Sequence, residues 1–370
     1  MEYQARNKEI IRTSRIGIAA NILLAAFKAM VGALAGSVAI IMDAVNNLSD
    51  ALSGVITIVG TKLSARPADN KHPFGHGRIE YLSAIVISVI VLVAGASSFI
   101  ESAKKILNPT VPRYTTLTLV VIIVAILVKL VLGRYVKAQG RKLKSDSLVA
   151  SGADATFDAV VTLSTLVSAG IMLVAGVNLD GIFGTLISIV IIKSGFEMLG
   201  SPINQLVGMG VPRQLTDEIR KEVEAYPQVH GVYDIILNYY GPNTIIGSLH
   251  VNVLDTLTAR EIHGLTRDIA EEMYEKHAII CTVGIYAINT QGKLGTLQKD
   301  VMTFVYGQPD VLQSHGFYYY SDTNLVTIDV VPVDSVHDDK AFALEMRDRL
   351  SKRFPEYKFG VVIDHYYIQR

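Results

Sequence analysis

Apolar positions follow two different patterns along the chain. Up to about residue 206 they form long runs, and beyond it they alternate with polar residues or recur at helical spacing. Six runs have about the 20 residues that an α-helix needs to cross the hydrocarbon core of a bilayer. They cover residues 16–36, 38–63, 80–101, 115–134, 147–175 and 181–205. The pattern predicts an α-helical membrane protein with six transmembrane helices over residues 1–206.

Polar residues distinguish these six segments and predict their orientation. The second and fifth contain carboxylates, whereas the third and fourth are predicted to be lipid-facing scaffold. Lys and Arg precede the first segment and fill the connections after the second and the fourth. By the positive-inside rule both termini are cytoplasmic, although Lys104, Lys105 and Arg113 on the outer side weaken the rule. We therefore expect a multi-pass protein of a bacterial-type plasma (inner) membrane.

The second half of the chain has the pattern of soluble α+β structure. Over residues 211–290, alternating strands are interleaved with helices whose apolar residues recur at roughly 3.6-residue spacing. A similar pattern follows over residues 295–370, where "VTIDVVPVD" echoes "GSLHVNVLD". This repeat predicts two tandem cytoplasmic α+β domains, joined by the linker "NTQGKLG".

Composition and missing motifs exclude several classes of function. Cys281 is the only cysteine, so the chain has no intrachain disulfide and no Cys-rich metal site. There is no G-x-x-x-x-G-K-[ST] motif, which argues against a nucleotide partner. The Tyr-rich strands lack a clustered basic patch, which argues against a nucleic-acid partner. Without a Ser-His-Asp or Cys-His arrangement, the sequence indicates neither an enzyme nor a required cofactor.

Two pairs of oxygen-bearing side chains lie inside the apolar segments. Asn46 and Asp50 are four residues apart in the second segment, and Asp154 and Asp158 are four apart in the fifth. That spacing places each pair on one helical face. A charged side chain at a bilayer centre costs about 2.5–3.5 kcal/mol on insertion scales, so such residues face a protein interior or an aqueous path. One Asp near the end of a span can be a helix cap, but two such pairs predict a buried divalent-cation site.

Two further groups of residues are candidates for metal chemistry. Asp43 lies on the same helical face as Asn46, one turn away. It either supports the predicted cation site or is part of an exit path for the cation. The alternative is an interfacial polar residue. In the loop "RPADNKHPFGHGRIE", a tight turn could gather Asp69, His72 and His76 into a site that suits a divalent transition metal. The alternative is a pair of surface histidines near a helix start.

The segments "DAVNNLSDALS" and "HPFGHGRIE", the acidic pair of the fifth span and the six-span layout resemble the cation diffusion facilitator family. The resemblance covers about residues 10–290. It implies a homodimeric, proton-coupled exporter of divalent cations with a ferredoxin-like C-terminal domain. It also implies that the four span residues form the transport site and that the loop residues form a second metal site.

Departures from the family pattern refine this expectation. Zinc-selective members typically carry His in the second or fifth span, and this chain has none there, so it resembles the manganese-exporting branch. In the first cytoplasmic repeat, His250 and His263 match the family's metal cluster, but Tyr233, Ile285 and Ala287 occupy other ligand positions. The second repeat is an addition that the common family pattern lacks.

The leading functional hypothesis is therefore a secondary transporter that moves Mn²⁺ out of the cytoplasm against inward protons. A broader exporter of Zn²⁺, Fe²⁺, Co²⁺ or Cd²⁺ is one alternative. Others are a membrane-anchored metal sensor that transports nothing and a passive cation channel.

Overall fold

The computed structural model describes residues 2–34, 38–107, 116–175, 179–242, 244–365 and 368–369. These residues divide into two compact units. The first is Met1–Gly208 with Tyr240–Asn243, and the second is Met209–Tyr239 with Thr244–Arg370.

Long helices make up the first unit. They are α1 (Glu2–Leu34), α2 (Val38–Ser64), α3 (Ile79–Leu107), α4 (Thr116–Lys142), α5 (Asp146–Ala175) and α6 (Asp180–Val207). Among the described residues, α1, α3, α4 and α6 each contain a stretch long and apolar enough to cross a membrane. The other two, α2 and α5, carry the predicted polar faces. This part of the chain is thus a helical membrane domain.

The helices pack most extensively in three pairs, which are α1 with α2, α3 with α6, and α4 with α5. The α4–α5 pair is held close by two glycines. A Cβ atom added to Gly152 would lie 2.9 Å from the carbonyl oxygen of Gly133. Glycines at such positions let helix backbones approach closely where no hydrophobic effect drives helices together. The backbones of α4 and α5 therefore lie close together at Gly133 and Gly152.

Arg6 ties three parts of this unit together near the start of α1. Its guanidinium donates two hydrogen bonds to the Glu80 carboxylate at the start of α3, at 2.6 and 3.0 Å. It also donates to the carbonyl oxygens of Leu143 and Lys144 in the α4–α5 connection, at 2.8 and 3.0 Å. Glu80 is almost fully buried, and a bidentate Arg–carboxylate pair is among the stronger polar contacts in proteins.

The second unit repeats one succession of elements. The first group is β1 (Val211–Pro212), α7 (Arg213–Glu224), β2 (Val232–Tyr239), β3 (Ile245–Leu254), α8 (Ala259–His277) and β4 (Ile279–Ile288). The second is α9 (Gly292–Tyr306), β5 (Val311–Tyr320), β6 (Leu325–Pro332), α10 (Asp339–Arg353), β7 (Lys358–Ile363) and β8 (Ile368–Gln369). Each group has a three-stranded sheet, β2-β3-β4 or β5-β6-β7, with one antiparallel and one parallel pairing. Only three residues, 289–291, connect the groups.

Each sheet has its own hydrophobic core. Val251, Ile269 and Met273 are fully buried in the first, and Ile328 and Met346 in the second. The α8 helix begins with a capping box, in which Thr258 and Glu261 satisfy each other's backbone N–H groups. The apolar alternation of the strands and the amphipathic helices thus produce two separate α+β layers.

Strands β1 and β8 join the two ends of the second unit. They pair in parallel, with Val211 opposite Ile368. In chain order, the first group has the succession β-α-β-β-α-β. Its first strand, however, pairs with β8 rather than with β2-β3-β4 among the described strands.

Candidate metal sites

A cavity of about 480 Å³ lies among the helices of the first unit. All four oxygen-bearing residues predicted from the spans line it, Asn46 and Asp50 on α2 and Asp154 and Asp158 on α5. Helical spacing places the members of each pair on one face, and the packing of α2 against α5 brings the two pairs to the same cavity. Asp154 is buried, whereas the Asp50 and Asp158 side chains are 18% and 37% exposed toward the space.

Lys129 of α4 forms two ion pairs in this cavity. Its Nζ lies 2.7 Å from Asp50 Oδ2 and 2.5 Å from Asp158 Oδ2. The residue is only 6% exposed. The prediction that α4 is lipid-facing scaffold is therefore wrong for this face of the helix. The close α4–α5 packing at Gly133 and Gly152 brings the Lys129 side chain to the carboxylates.

A second lysine lines the same cavity. Lys28 of α1 is 3% exposed, and its Nζ lies 3.4 Å from Asn47 Oδ1 on α2. Neither Lys28 nor Lys129 was predicted from the sequence as a site residue. The available signal was a single lysine inside an otherwise apolar segment, since ionisable residues within a membrane span are rare and usually functional.

The ammonium group of Lys129 occupies the kind of position that a divalent cation would take. It contacts one carboxylate oxygen on α2 and one on α5, the two helices that carry the pairs of oxygen-bearing residues. Three carboxylates in a confined space repel one another unless a cation or a proton compensates them. Lys129 supplies a positive charge to this group, and a metal that binds Asp50 Oδ2 and Asp158 Oδ2 would have to displace its ammonium.

The cavities on the two sides of the carboxylates differ in volume. The large cavity extends along α3 as far as Glu101. On the other side, Asp50 and Asp154 contact a cavity of only about 20 Å³, which Ser14, Asn21 and Ser151 also line. That is room for about one water molecule. The space beside the carboxylates is therefore wide toward the end of α3 and narrow toward the end where Arg6 binds Glu80.

Asp43 belongs to α2, but its side chain lies outside the described residues. Its expected role stays a prediction.

The loop between α2 and α3 brings Asp69, His72 and His76 together. One ligand atom from each lies within 4.8 Å of the others. Asp69 is 3.2 Å from His72 Nδ1 and 3.6 Å from His76 Nε2. The backbone N–H groups of His72 and Lys71 donate to Asp69 Oδ1 and lower the pKa of this carboxyl, which keeps it ionised. The arrangement offers two imidazoles and a carboxylate to a cation.

The two histidines proposed for the first repeat lie in different places. His263 is exposed on α8 and belongs to neither cluster of metal-ligand atoms found among the described residues. His250 lies on β3, with Nδ1 3.0 Å from Asp234 Oδ2 and its ring stacked on Tyr286 at 4.6 Å. Of the two, only His250 faces other potential ligands.

A second cluster of ligand atoms, absent from the sequence analysis, comprises Asp234, His315 and Asp364. His315 Nε2 is 2.7 Å from Asp234 Oδ1 and 3.5 Å from Asp364 Oδ2. Burial alone would lower the pKa of His315, but the two carboxylates outweigh burial and raise it to about 9. The cluster joins residues from both sheets of the second unit.

Sequence comparisons give matches over most of the chain. Residues 14–207 match the cation efflux transmembrane domain, and residues 211–285 match the cytoplasmic domain of cation efflux proteins. An uncharacterized transporter of Methanocaldococcus jannaschii is 29% identical over 258 residues, which are 70% of this chain and 91% of that protein. The manganese efflux system protein MneS of Bacillus subtilis is 28% identical over 270 residues, 71% of this chain and 90% of its own. The cation-efflux pump FieF of Citrobacter koseri is 25% identical over 266 residues, 71% and 88% of the two chains.

Proposed function

Because the chain belongs to the cation efflux (cation diffusion facilitator) family of membrane metal transporters, we propose that it exports divalent cations, preferentially Mn²⁺, in exchange for protons. The observation that carries the proposal is the cavity lined by Asn46, Asp50, Asp154 and Asp158. Four oxygen donors from two facing helices suit a hard divalent cation.

The donor set supports the choice of Mn²⁺. First-row affinities rise from Mn²⁺ toward Cu²⁺, so a site serves Mn²⁺ best when it lacks the nitrogen ligands that favour Zn²⁺. None of the four residues supplies an imidazole, and the Asn46 amide is neutral. The relatives named MneS and MneP are manganese efflux proteins, which agrees with this choice. A broader range, as the name of FieF allows, is the alternative.

The lysine beside the carboxylates supports an exchange mechanism. When a metal binds, it displaces the Lys129 ammonium and any protons from the carboxylates; when the metal leaves, these cations return. The helices would expose the site to each side in turn. With both termini cytoplasmic, the wide space toward Glu101 is on the outer side, as in an outward-facing arrangement of six spans.

Three further features belong to this proposal. The cytoplasmic domain supports assembly as a homodimer. Its two α+β repeats are proposed to be ferredoxin-like. The cluster of Asp69, His72 and His76 is proposed to bind a cation on the cytoplasmic side, before the transport site.

Proteoliposomes test the proposed function directly. Purified protein would be reconstituted with a metal-sensitive dye and a pH-sensitive dye inside, and Mn²⁺, Zn²⁺, Fe²⁺, Co²⁺ and Cd²⁺ would be compared. We expect saturable Mn²⁺ uptake with opposite proton movement, and its loss in Asp158→Asn, because the carboxylate is a ligand that the buried site cannot replace. Non-saturable flux would indicate a channel, and no flux with any metal would indicate a sensor. Metal flux without proton movement would contradict the exchange.

A further inference from the structure

Equivalent irregularities of the two sheets in the second unit lie face to face. The pairing of β2 with β3 shifts register after Tyr233, and the pairing of β5 with β6 shifts after His315. Asp234, at the first irregularity, has φ 50°, and Gly316, at the second, has φ 65°. A β-bulge re-aims the side chains next to it. Here the two bulges direct Asp234 and His315 at each other.

The backbone at this point is held in an unfavourable conformation. A non-glycine residue with positive φ costs on the order of 1–3 kcal/mol and persists only where its surroundings enforce it. Asp234 is the non-glycine residue with positive φ in the first sheet. The corresponding position of the second sheet is Gly316, which follows His315. Such outliers cluster at functional sites, so the side chains that face each other here are candidate ligands.

The polar atoms that meet here are buried and lack hydrogen bonds. His315 is 2% exposed, and neither ring nitrogen has a partner in hydrogen-bond geometry. Asp234 Oδ1 is buried and unpartnered as well, although it lies only 2.7 Å from His315 Nε2. Most buried polar groups in proteins are hydrogen-bonded, so a histidine with two unsatisfied nitrogens needs an explanation. Nitrogen and oxygen atoms that converge without a hydrogen bond are arranged as ligands of a cation are.

Surrounding residues hold the converging groups in place. The Tyr286 hydroxyl donates to Asp234 Oδ2 at 2.6 Å, which leaves Oδ1 directed at His315. The Tyr233 ring stacks on the His315 imidazole at 4.9 Å. Asp364, directly after β7, completes a set whose ligand atoms all lie within 4.8 Å of one another. Outer contacts of this kind fix ligand orientation at metal sites.

We propose that Asp234, His315 and Asp364 bind a divalent transition-metal ion that links the two repeats of the second unit. One imidazole and two carboxylates suit Zn²⁺, Fe²⁺ or Mn²⁺. His250, whose Nδ1 is also buried without a hydrogen bond, lies beside Asp234 and is the available fourth ligand. The site is distinct from the transport cavity, and His315 and Asp364 lie in the second repeat, outside the sequence ranges that match the cation efflux domains.

The rival explanation is an ion cluster without metal, in which a protonated His315 balances two carboxylates. The two explanations differ in what the protein binds. The test uses full-length protein in detergent and Zn²⁺ as the probe, with bound metal counted per chain by equilibrium dialysis and elemental analysis. His315→Gln and Asp364→Asn are compared with His365→Gln. His365 is an exposed histidine next to Asp364 that pairs with Asp339 instead, at 2.9 Å.

We expect His315→Gln and Asp364→Asn each to lose about one Zn²⁺ per chain, and His365→Gln to lose none. Zn²⁺ should also raise the unfolding temperature of the wild type more than that of the two site variants. Asp50→Asn should lower the count independently, since it acts at the transport cavity. Circular dichroism identifies any variant that fails to fold, and Asp364→Asn, whose side chain is partly exposed, is the milder change. An equal count in folded wild type, His315→Gln and Asp364→Asn would overturn the proposal, as would an equal loss in His365→Gln.

Discussion

At the scale of single residues, Lys129 adds a positive charge to the cavity that Asp50 and Asp158 line. Its ammonium lies within 2.7 Å of carboxylates on two different helices. Removing one partner of a buried ion pair typically destabilises a protein by about 3–5 kcal/mol, because the other charge is left uncompensated. A metal ion could provide the same compensation. Under the proposed function, lysine and metal therefore compete for Asp50 and Asp158.

This competition predicts the behaviour of Lys129→Met. Without the ammonium, Mn²⁺ no longer displaces a bound cation, so we expect Mn²⁺ to bind about tenfold more tightly, equivalent to roughly 1.4 kcal/mol. The metal-free variant should unfold at a lower temperature, and Mn²⁺ should restore it. Titration calorimetry and thermal unfolding measure both effects. Lys129→Arg, which keeps the charge, is the control. An unchanged Kd for Mn²⁺ in Lys129→Met would contradict the competition between lysine and metal.

The identity of residue 46 predicts metal selectivity. Asn46→His supplies an imidazole to a site that otherwise has only oxygen donors, and His is a good Zn²⁺ ligand in tetrahedral geometry. We expect the ratio of Zn²⁺ to Mn²⁺ transport to rise. Paired uptake assays in proteoliposomes measure the ratio, with Asn46→Gln as the matched control that keeps an amide. If a folded and active Asn46→His keeps the wild-type ratio, residue 46 does not select the metal.

Several site residues could be predicted from the sequence because their geometry is local. Asp50 and Asp154 meet their partners through helical spacing alone, and the loop histidines lie within a few residues of Asp69. Lys129 could not be placed this way, because its contacts depend on how closely α4 and α5 pack. The cluster around His315 was missed for a related reason, since bulges interrupt the strand alternation that the sequence shows.

At the scale of elements, the start of α1 closes one end of the helical unit. Arg6 joins α1 to the start of α3 and to the α4–α5 connection. The polar arm before the first predicted span thus continues as helix, since α1 begins at Glu2 rather than near residue 16. On this side Asp50 and Asp154 line a cavity of about 20 Å³, together with Ser14 of α1.

Breaking this clamp should open that end. In Glu80→Gln the ion pair with Arg6 is lost, so we expect the small cavity to become more accessible. A cysteine placed at Ser151 in a Cys281→Ser background reports this as its rate of reaction with a polar thiol reagent. A shift of about 1.4 kcal/mol toward the open form would raise the rate about tenfold. Glu9→Gln, which affects an exposed pair with Arg12, is the control; equal rates in Glu80→Gln and the control would contradict the clamp.

At the scale of the whole molecule, the chain combines a helical membrane domain with a unit that contains one α+β pattern twice. The succession of elements could be predicted from sequence because alternation and helical spacing identify strands and helices. The pairing of β1 with β8 could not, because two-residue strands leave no pattern and their partners are about 150 residues apart.

A chain that ends at Gln291 separates the contributions of the two repeats. Because each sheet has its own core, we expect the shortened protein to fold and to transport Mn²⁺. Because it lacks β8, the first repeat should unfold at a lower temperature than in the full chain. Proteoliposome uptake and thermal unfolding measure the two outcomes. An aggregated product would mean that the repeats depend on a shared core.

Three residues connect β4 to α9 and so tether the two repeats to each other. Modules joined by a short connection meet at an effective concentration in the millimolar range, whatever the concentration of the protein itself. Association of the two sheets is therefore a unimolecular equilibrium, unaffected by dilution. Subunits of a dimer separate when the protein is scarce, but a ligand set drawn from two tethered repeats stays assembled in a single chain.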